Sequence, residues 1–78
     1  MLTPEAQRAA RGLLGWGVRE LAAEAGVAWT TVSQFENGRD LRPSTAAKIV
    51  AALEAHGVDL VGDDGRTGAV LIYARRKD

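Results

Sequence analysis

A cluster of small polar side chains surrounds one large aromatic residue near the middle of the chain, in the run "AWTTVSQFENG". Beside Trp29 this run contains Thr30, Thr31, Ser33 and Gln34. Hydroxyl and carboxamide groups both donate and accept hydrogen bonds. A packed core does not need such a set, so the pattern predicts a surface that contacts a binding partner.

The chemistry-bearing residues do not combine into a catalytic or metal-binding set. Ser33 and His56 would be the hydroxyl nucleophile and imidazole base of a catalytic pair. His56 is explained more simply by a favourable contact with a helix carboxyl terminus. The chain has no cysteine and one histidine, which leaves little material for a metal site. Asp59, Asp63 and Asp64 lack the spacing of a calcium loop and are typical of turns. We therefore expect no enzyme, no metal and no cofactor.

Length and composition predict one small domain. A chain of 78 residues buries only about 60% of the surface of its unfolded form, so dimerisation would add stability. No apolar run approaches the roughly 20 residues of a membrane span, and the first residues have no signal-peptide core, which predicts a soluble, cytoplasmic protein.

Ten basic and ten acidic side chains give zero net charge, which counts mildly against a nucleic-acid-binding function. Most of the basic residues are arginine, however, which suits phosphate and guanine contacts.

Four helices are predicted before residue 58, over residues 3–15, 17–25, 29–37 and 44–57. Thr3 is an N-cap candidate ahead of Pro4, and Gly15 is a natural end of the first helix. Ser44 is the predicted N-cap of the fourth. The second and fourth helices carry apolar stripes at i, i+3, i+4 and i+7.

The third helix and the tail differ from this pattern. In residues 29–37 only Val32 and Phe35 have core spacing, and the other positions are polar or, at Trp29, aromatic. After residue 57 the period changes, which predicts a β-hairpin with strands near 58–61 and 69–74, joined by turn residues that include Gly62, Asp63, Asp64, Gly65 and Gly68. A lone hairpin is marginal in water, so it must pack on the helices or on a second chain. The basic end "RRK" is expected to be solvated.

Two short helices joined by a glycine turn, and followed by a polar outer face, describe a helix-turn-helix. In this motif the first helix crosses the DNA backbone and the second lies in the major groove. Thr, Ser and Gln at exposed positions of the second helix can bond base edges, and Gln34 can bond adenine bidentately.

The run "LLGWGVRELAAEAGVAWTTVSQFENGRDLRP" resembles the lambda Cro/C1-type helix-turn-helix of the phage-repressor (XRE) class. The resemblance covers about residues 5–57, with residues 20–22, 25–27, 32–33 and 35–38 in register. It implies a mostly α fold, a four-helix lambda-repressor-like domain over residues 1–57 with a carboxyl-terminal β-hairpin extension over residues 58–78. The extension is the expected dimerisation element.

The resemblance also implies roles for individual residues. The base-facing positions are Trp29, Thr30, Thr31, Ser33 and Gln34. The phosphate-binding positions are Asn37, Gly38, Arg39 and Arg42. Arg11 and Glu36 correspond to a buried ion pair that ties the first helix to the end of the third. Each set also has a simpler interpretation. Asn37 and Gly38 are residue types favoured at a helix carboxyl terminus, and Arg39 and Arg42 are typical of solvated surface charge.

Four positions depart from the family pattern, and one of them is Trp29, which stands where a small or hydrogen-bonding side chain is more usual. Gly17 and Val18 stand where members commonly have Ser-Gln, and Val18 cannot donate a hydrogen bond to phosphate. Ala28 replaces the usual Ser or Thr N-cap of the third helix, at a cost of about 1 kcal/mol. Trp29 could face DNA, a protein or its own core, and Trp16 is expected to be core or a lid over the junction of the first two helices.

These observations predict a sequence-specific, DNA-binding transcriptional regulator of bacterial or phage origin. The expected form is a homodimeric repressor on a near-palindromic operator, with residues 29–37 in the major groove; an antitoxin is a variant of the same interpretation. The alternative is a protein-interaction regulator that keeps the scaffold and uses Trp29 to bind another protein rather than DNA.

Overall fold

The computed structural model describes residues 1–75, which form four helices followed by a two-stranded antiparallel sheet. The elements are α1 (Pro4–Leu14), α2 (Val18–Ala25), α3 (Trp29–Glu36), α4 (Pro43–Ala55), β1 (Val58–Asp63), β2 (Arg66–Leu71) and a 3₁₀ turn (Tyr73–Arg75). The predicted fold class is therefore confirmed. Of the predicted basic end, Arg76 and Lys77 lie outside the described residues. No helix within residues 1–75 is both long and apolar enough to cross a membrane.

The ends of α1 are set by the residues predicted to cap it. The Thr3 hydroxyl accepts a hydrogen bond from the Ala6 N–H at 3.0 Å, and Pro4 occupies the first helical position, where its missing N–H has no partner to lose. Gly15 adopts a φ of +69° and closes the last turn, a backbone conformation that favours glycine.

The core lies where all four helices meet the hairpin. Its buried members are Ala10, Leu21, Ala22, Val32, Ile49, Leu53 and Val58. Each helix contributes at least one of them, which explains the apolar stripes of α2 and α4. Val32 is the buried residue of α3, so this helix docks through one central side chain.

The fourth helix begins one residue earlier than predicted. Arg42 is its N-cap, and no side chain accepts the N–H groups of its first turn. The prediction of Ser44 as N-cap is wrong because Pro43, with its fixed φ, starts the helix before Ser44 is reached.

His56 ends α4 and links it to the rest of the helical domain. Its Nε2 lies 2.8 Å from Oε1 of Glu24 in α2, and its ring meets Trp16 edge-on with centroids 4.7 Å apart. Trp16 is half-buried against the core, as expected of a lid over the junction of α1 and α2.

The hairpin pairs Val58 with Leu71 at one end and Asp63 with Arg66 at the other. Its strands differ from the predicted 58–61 and 69–74: β1 is longer, and β2 both begins and ends earlier. β1 begins only at Val58, which pairs with Leu71. The residues of the predicted second strand after Leu71 therefore have no residue of β1 opposite them.

Glycine in this hairpin does not always mark the turn. Gly62 lies within β1 because Met1 packs on it, and a Cβ at residue 62 would lie 3.1 Å from that of Met1. The turn itself is Asp64 and Gly65, with Gly65 at a φ of +81°. Sequence composition alone does not distinguish these two uses of glycine.

Candidate nucleic-acid interface

A tight glycine turn sets the angle between α2 and α3. Gly26 adopts a φ of +71°, and its N–H bonds back to the last turn of α2. The Val27 N–H donates to the Ala22 carbonyl at 3.0 Å, and the Val27 side chain packs against the core. The chain then enters α3 at Ala28, an N-cap with no side-chain acceptor.

The inner face of α3 is held to α1 by a bidentate ion pair. Arg11 Nε donates to Glu36 Oε2 at 2.8 Å, and Arg11 Nη2 donates to Oε1 at 2.7 Å. Arg8 Nη2 adds a bond to the Glu36 carbonyl at 3.0 Å, and Arg11 Nη1 reaches the Trp16 carbonyl at 3.0 Å. The Glu36 side chain is only 9% exposed, so the structure brings together the two residues of the expected ion pair in a largely buried site.

Gln7 joins Arg11 and Glu36 in a set of three side chains that ties α1 to α3, which we call the inner anchor. Gln7 is not among the residues predicted from the sequence. It is fully buried, and its Nε2 donates to the Val32 carbonyl at 3.2 Å and to Glu36 Oε2 at 2.8 Å. Its position carries a signal: Gln7 precedes Ala10 by three residues and Arg11 by four, on the stripe of α1 that faces α3. A polar residue on a buried stripe implies a polar partner.

These contacts set the ionisation of the anchor. Burial of the Glu36 carboxyl opposes ionisation, but hydrogen bonds from Arg11 and Gln7 outweigh it and lower the pKa of Glu36 below its ordinary value. The hydrogen bond to Glu36 likewise raises the pKa of Arg11. The pair is therefore fully charged at neutral pH.

The outer face of α3 has no such ties. Thr30 and Gln34 are exposed, and Thr31 and Ser33 are half-buried. Within residues 1–75 none of these four side chains takes part in a hydrogen bond, and none caps the helix. Their donors and acceptors are available to a partner.

One side of this face forms a groove of about 340 Å³ with the start of α2, lined by Gly17, Val18, Arg19, Glu20, Trp29 and Ser33. Trp29 is 43% exposed, so it is not a core residue. The Arg19 guanidinium lies over its ring, 4.1 Å from the centroid. Glu20 Oε1 accepts the Gly17 N–H at 2.8 Å and so occupies the amino terminus of α2.

The other side forms a more polar groove of about 360 Å³ with the loop before α4, lined by Thr31, Gln34, Asp40, Leu41, Arg42 and Thr45. The four predicted base-facing polar residues are thus divided. Ser33 lies in the first groove, Thr31 and Gln34 lie in the second, and Thr30 is exposed outside both lining sets.

The predicted phosphate-binding residues follow the carboxyl end of α3. Asn37 is the C-cap, and Gly38 leaves the helix at a φ of +97°. The Arg39 N–H bonds back to the Gln34 carbonyl at 2.9 Å, while its side chain is exposed. Arg42 lines the second groove beside α3.

Comparison with protein-family models places this arrangement among known domains. The Helix-turn-helix model, of the Cro/C1 type, matches residues 7–60. The chain belongs to this family of helix-turn-helix regulators. A comparison with curated proteins finds no match.

Membership in the helix-turn-helix family makes the chain a DNA-binding regulator, since the family is regulatory and is not a known family of enzymes. Within the motif, α2 and α3 are the two helices on either side of the Gly26 turn. The match includes Gln7, Arg11 and Glu36, so the anchor lies inside the family's own region.

Charge in this helix-turn-helix domain is unevenly distributed despite the zero sum. Four arginines form ion pairs with carboxylates inside residues 1–75, namely Arg8, Arg11, Arg66 and Arg75. Arg19, Arg39 and Arg42 have no ion-pair partner in that part of the chain. Arg19 lies before α3 in sequence and the other two follow it, so arginines without an ion pair lie on both sides of α3, with Glu20 lining the first groove beside Arg19 and Asp40 lining the second beside Arg42.

Proposed function

We propose that the chain is a sequence-specific, homodimeric repressor that inserts α3 into the major groove of a near-palindromic operator. A dimer bound across a promoter blocks access to that DNA, so repression needs no further contact. Half-sites about one helical turn apart follow from two copies of α3 related by a two-fold axis.

The observation that carries this proposal is the contrast between the two faces of α3. Its inner face is fixed through Val32 and Glu36, while Thr30, Ser33 and Gln34 remain without hydrogen-bond partners within residues 1–75. Rigidly held donors and acceptors suit the reading of base edges, because little side-chain and backbone freedom is lost on binding.

The flanking residues supply non-specific affinity. Arg39 and Arg42 follow α3 with exposed guanidinium groups, and Arg42 also begins α4, whose first turn is not capped by a side chain. Free N–H groups at a helix start attract phosphate oxygens, particularly beside an arginine. Asn37 and the Gly38 backbone are placed in this proposal against the same phosphates.

Dimerisation is assigned to the hairpin. Val70 and Tyr73 are 45% and 79% exposed, on or just beyond a strand that has one hydrogen-bonded neighbour. A six-residue edge strand of this kind is open to pairing with a second copy. Sedimentation of the free protein across micromolar concentrations should show a dimer, and Val70→Lys should shift it toward monomer.

A protein-interaction regulator is the second candidate, and Trp29 is the observation that favours it. The indole is 43% exposed beside Val18 in an open groove. Exposed tryptophan is common at the energetic centre of protein interfaces. In this role the same groove would hold an apolar side chain of another regulator.

Binding to random duplex DNA, followed across a salt titration, separates the two functions. A repressor must show weak, sequence-independent affinity that falls as salt rises, because phosphate contacts release counterions. Absence of binding near 50 mM salt would rule out the repressor. Selection from a random DNA pool should then return a two-fold symmetric site. Arg42→Ala should lower the affinity for that site and for every other sequence by the same factor.

A further inference from the structure

We infer that Arg19 and Trp29 form one unit, an arginine stacked on an indole, that binds a backbone phosphate of DNA at the start of α2. The inference rests on the proposed DNA-binding function. It gives Trp29 a role different from base contact: the indole holds Arg19 in place and leaves sequence reading to the polar residues of α3.

The geometry joins two helices. Arg19 lies in the first turn of α2 and Trp29 is the first residue of α3, yet the guanidinium carbon is 4.1 Å from the indole ring centroid. The Arg19 side chain makes no hydrogen bond within residues 1–75, so a guanidinium held over the ring keeps N–H groups free to bind phosphate oxygens. Stacking also fixes a long side chain before the ligand arrives, which lowers the entropy cost of binding.

The positive charge of Arg19 is not neutralised within the described chain. No carboxylate in residues 1–75 lies within 4.0 Å of its nitrogen atoms, whereas Arg8, Arg11, Arg66 and Arg75 each have such a partner. Glu20 lines the same groove, but its Oε1 is bound to the Gly17 N–H at 2.8 Å.

The surrounding residues favour phosphate over a base edge. The first helix of a helix-turn-helix crosses the DNA backbone while the second enters the groove, and Arg19 belongs to the first. At this end of α2, the Val18 side chain has no donor and the Gly17 N–H is already used by Glu20. Arg19 is therefore the side chain that can replace the phosphate contact those positions do not make.

One single variant, Arg19→Ala, tests the arginine, and Lys48→Ala is its control of equal charge change. Binding of each to a selected site and to random duplex is measured between 50 and 300 mM salt. Arg19→Ala should weaken both affinities by roughly tenfold and reduce the slope of log affinity against log salt by about 0.9. Lys48→Ala, which removes a charge from an exposed position of α4 that lines neither groove, should change neither.

The result for the unchanged protein separates failure of the two proposals. If it binds no DNA, the proposed function fails. If it binds and Arg19→Ala behaves like Lys48→Ala, the stacked arginine is not a phosphate contact and the present inference alone is overturned.

A second set of variants tests the indole. Trp29→Phe keeps an aromatic face and should bind within about twofold of the unchanged protein, whereas Trp29→Ala should lose about two- to fivefold on all sequences alike. The double variant Arg19→Ala/Trp29→Ala should equal Arg19→Ala, because the indole acts through the arginine. A change of preference at one base position in Trp29→Ala would show base reading instead. Additive losses in the double variant would also overturn the inference.

Discussion

The inner and outer faces of α3 use the same kinds of polar group in opposite ways. On the inner face Glu36 receives hydrogen bonds from Gln7, Arg8 and Arg11, and little of its side chain is exposed. On the outer face the side chains of Thr30 and Gln34 have no hydrogen-bond partner within residues 1–75. The difference teaches that the inner polar groups determine how the helix is positioned, whereas the outer ones are left free for the base contacts of the proposed function.

Removing Arg11 should give the largest effect on stability. Arg11→Ala leaves the Glu36 carboxylate buried without its bidentate partner, which should cost about 3–5 kcal/mol of the free energy of unfolding. Urea denaturation followed by circular dichroism measures it. The matched control is Arg66→Ala, an arginine paired with aspartate at the exposed hairpin turn. If both variants lost the same stability, the inner anchor would be no stronger than a surface pair.

Removing Gln7 should have the next largest effect. Gln7→Ala removes the hydrogen bonds to the Val32 carbonyl and to Glu36 Oε2, although Oε2 still accepts from Arg11 Nε, and it should cost about 2 kcal/mol. Arg8→Ala provides the comparison, because the Arg8 side chain is 54% exposed and its loss should change urea stability less. A Gln7 variant as stable as the unchanged protein would remove this residue from the anchor.

Acidification should weaken the inner face through Glu36. Its pKa is lower in the folded than in the unfolded chain, so its contribution is complete above the unfolded value and is lost as pH falls through the folded one. Unfolding free energies measured from neutral pH down to about pH 3 should therefore decline less steeply in Glu36→Gln. Asp63→Asn is the comparison, since the hydrogen bond from Arg66 lowers the pKa of Asp63 at an exposed site. An equal or larger flattening in Asp63→Asn would place the pH dependence outside the anchor.

Substitutions on the outer face should have the smallest effect on stability. Gln34→Ala and Thr30→Ala should each stay within about 0.5 kcal/mol of the unchanged protein in urea. Under the proposed function, Gln34→Ala should also relax preference at one base position by about 1–3 kcal/mol, read from a competition among single-base variants of the selected site. An unaltered preference would exclude Gln34 from base reading.

The sequence predicted those parts of the fold that depend on local chemistry. Thr3, Pro4, Gly15 and Gly26 act through the backbone within a few residues, so their positions alone located the ends of α1 and α2. The pairing of Arg11 with Glu36 was expected from the resemblance to a family rather than from spacing.

What the sequence did not predict depends on contacts between distant segments. Gly62 resembles a turn residue until Met1 is known to pack on it, and the stacking of Arg19 on Trp29 joins side chains ten residues apart on two helices. Gln7 could have been suspected from its place on the buried stripe of α1, but its partners on α3 follow only from the docking of the two helices.

The missing side-chain cap at Ala28 has a consequence for how this domain can change over evolutionary time. An uncapped helix of eight residues is too short to be stable alone, so α3 depends on tertiary contacts, with Val32 buried in the core and Glu36 paired with Arg11. If the outer side chains contribute as little to folding as the urea prediction requires, they can be exchanged one at a time without unfolding the domain. Under the proposed function, sequence preference could then diverge while the scaffold stays the same.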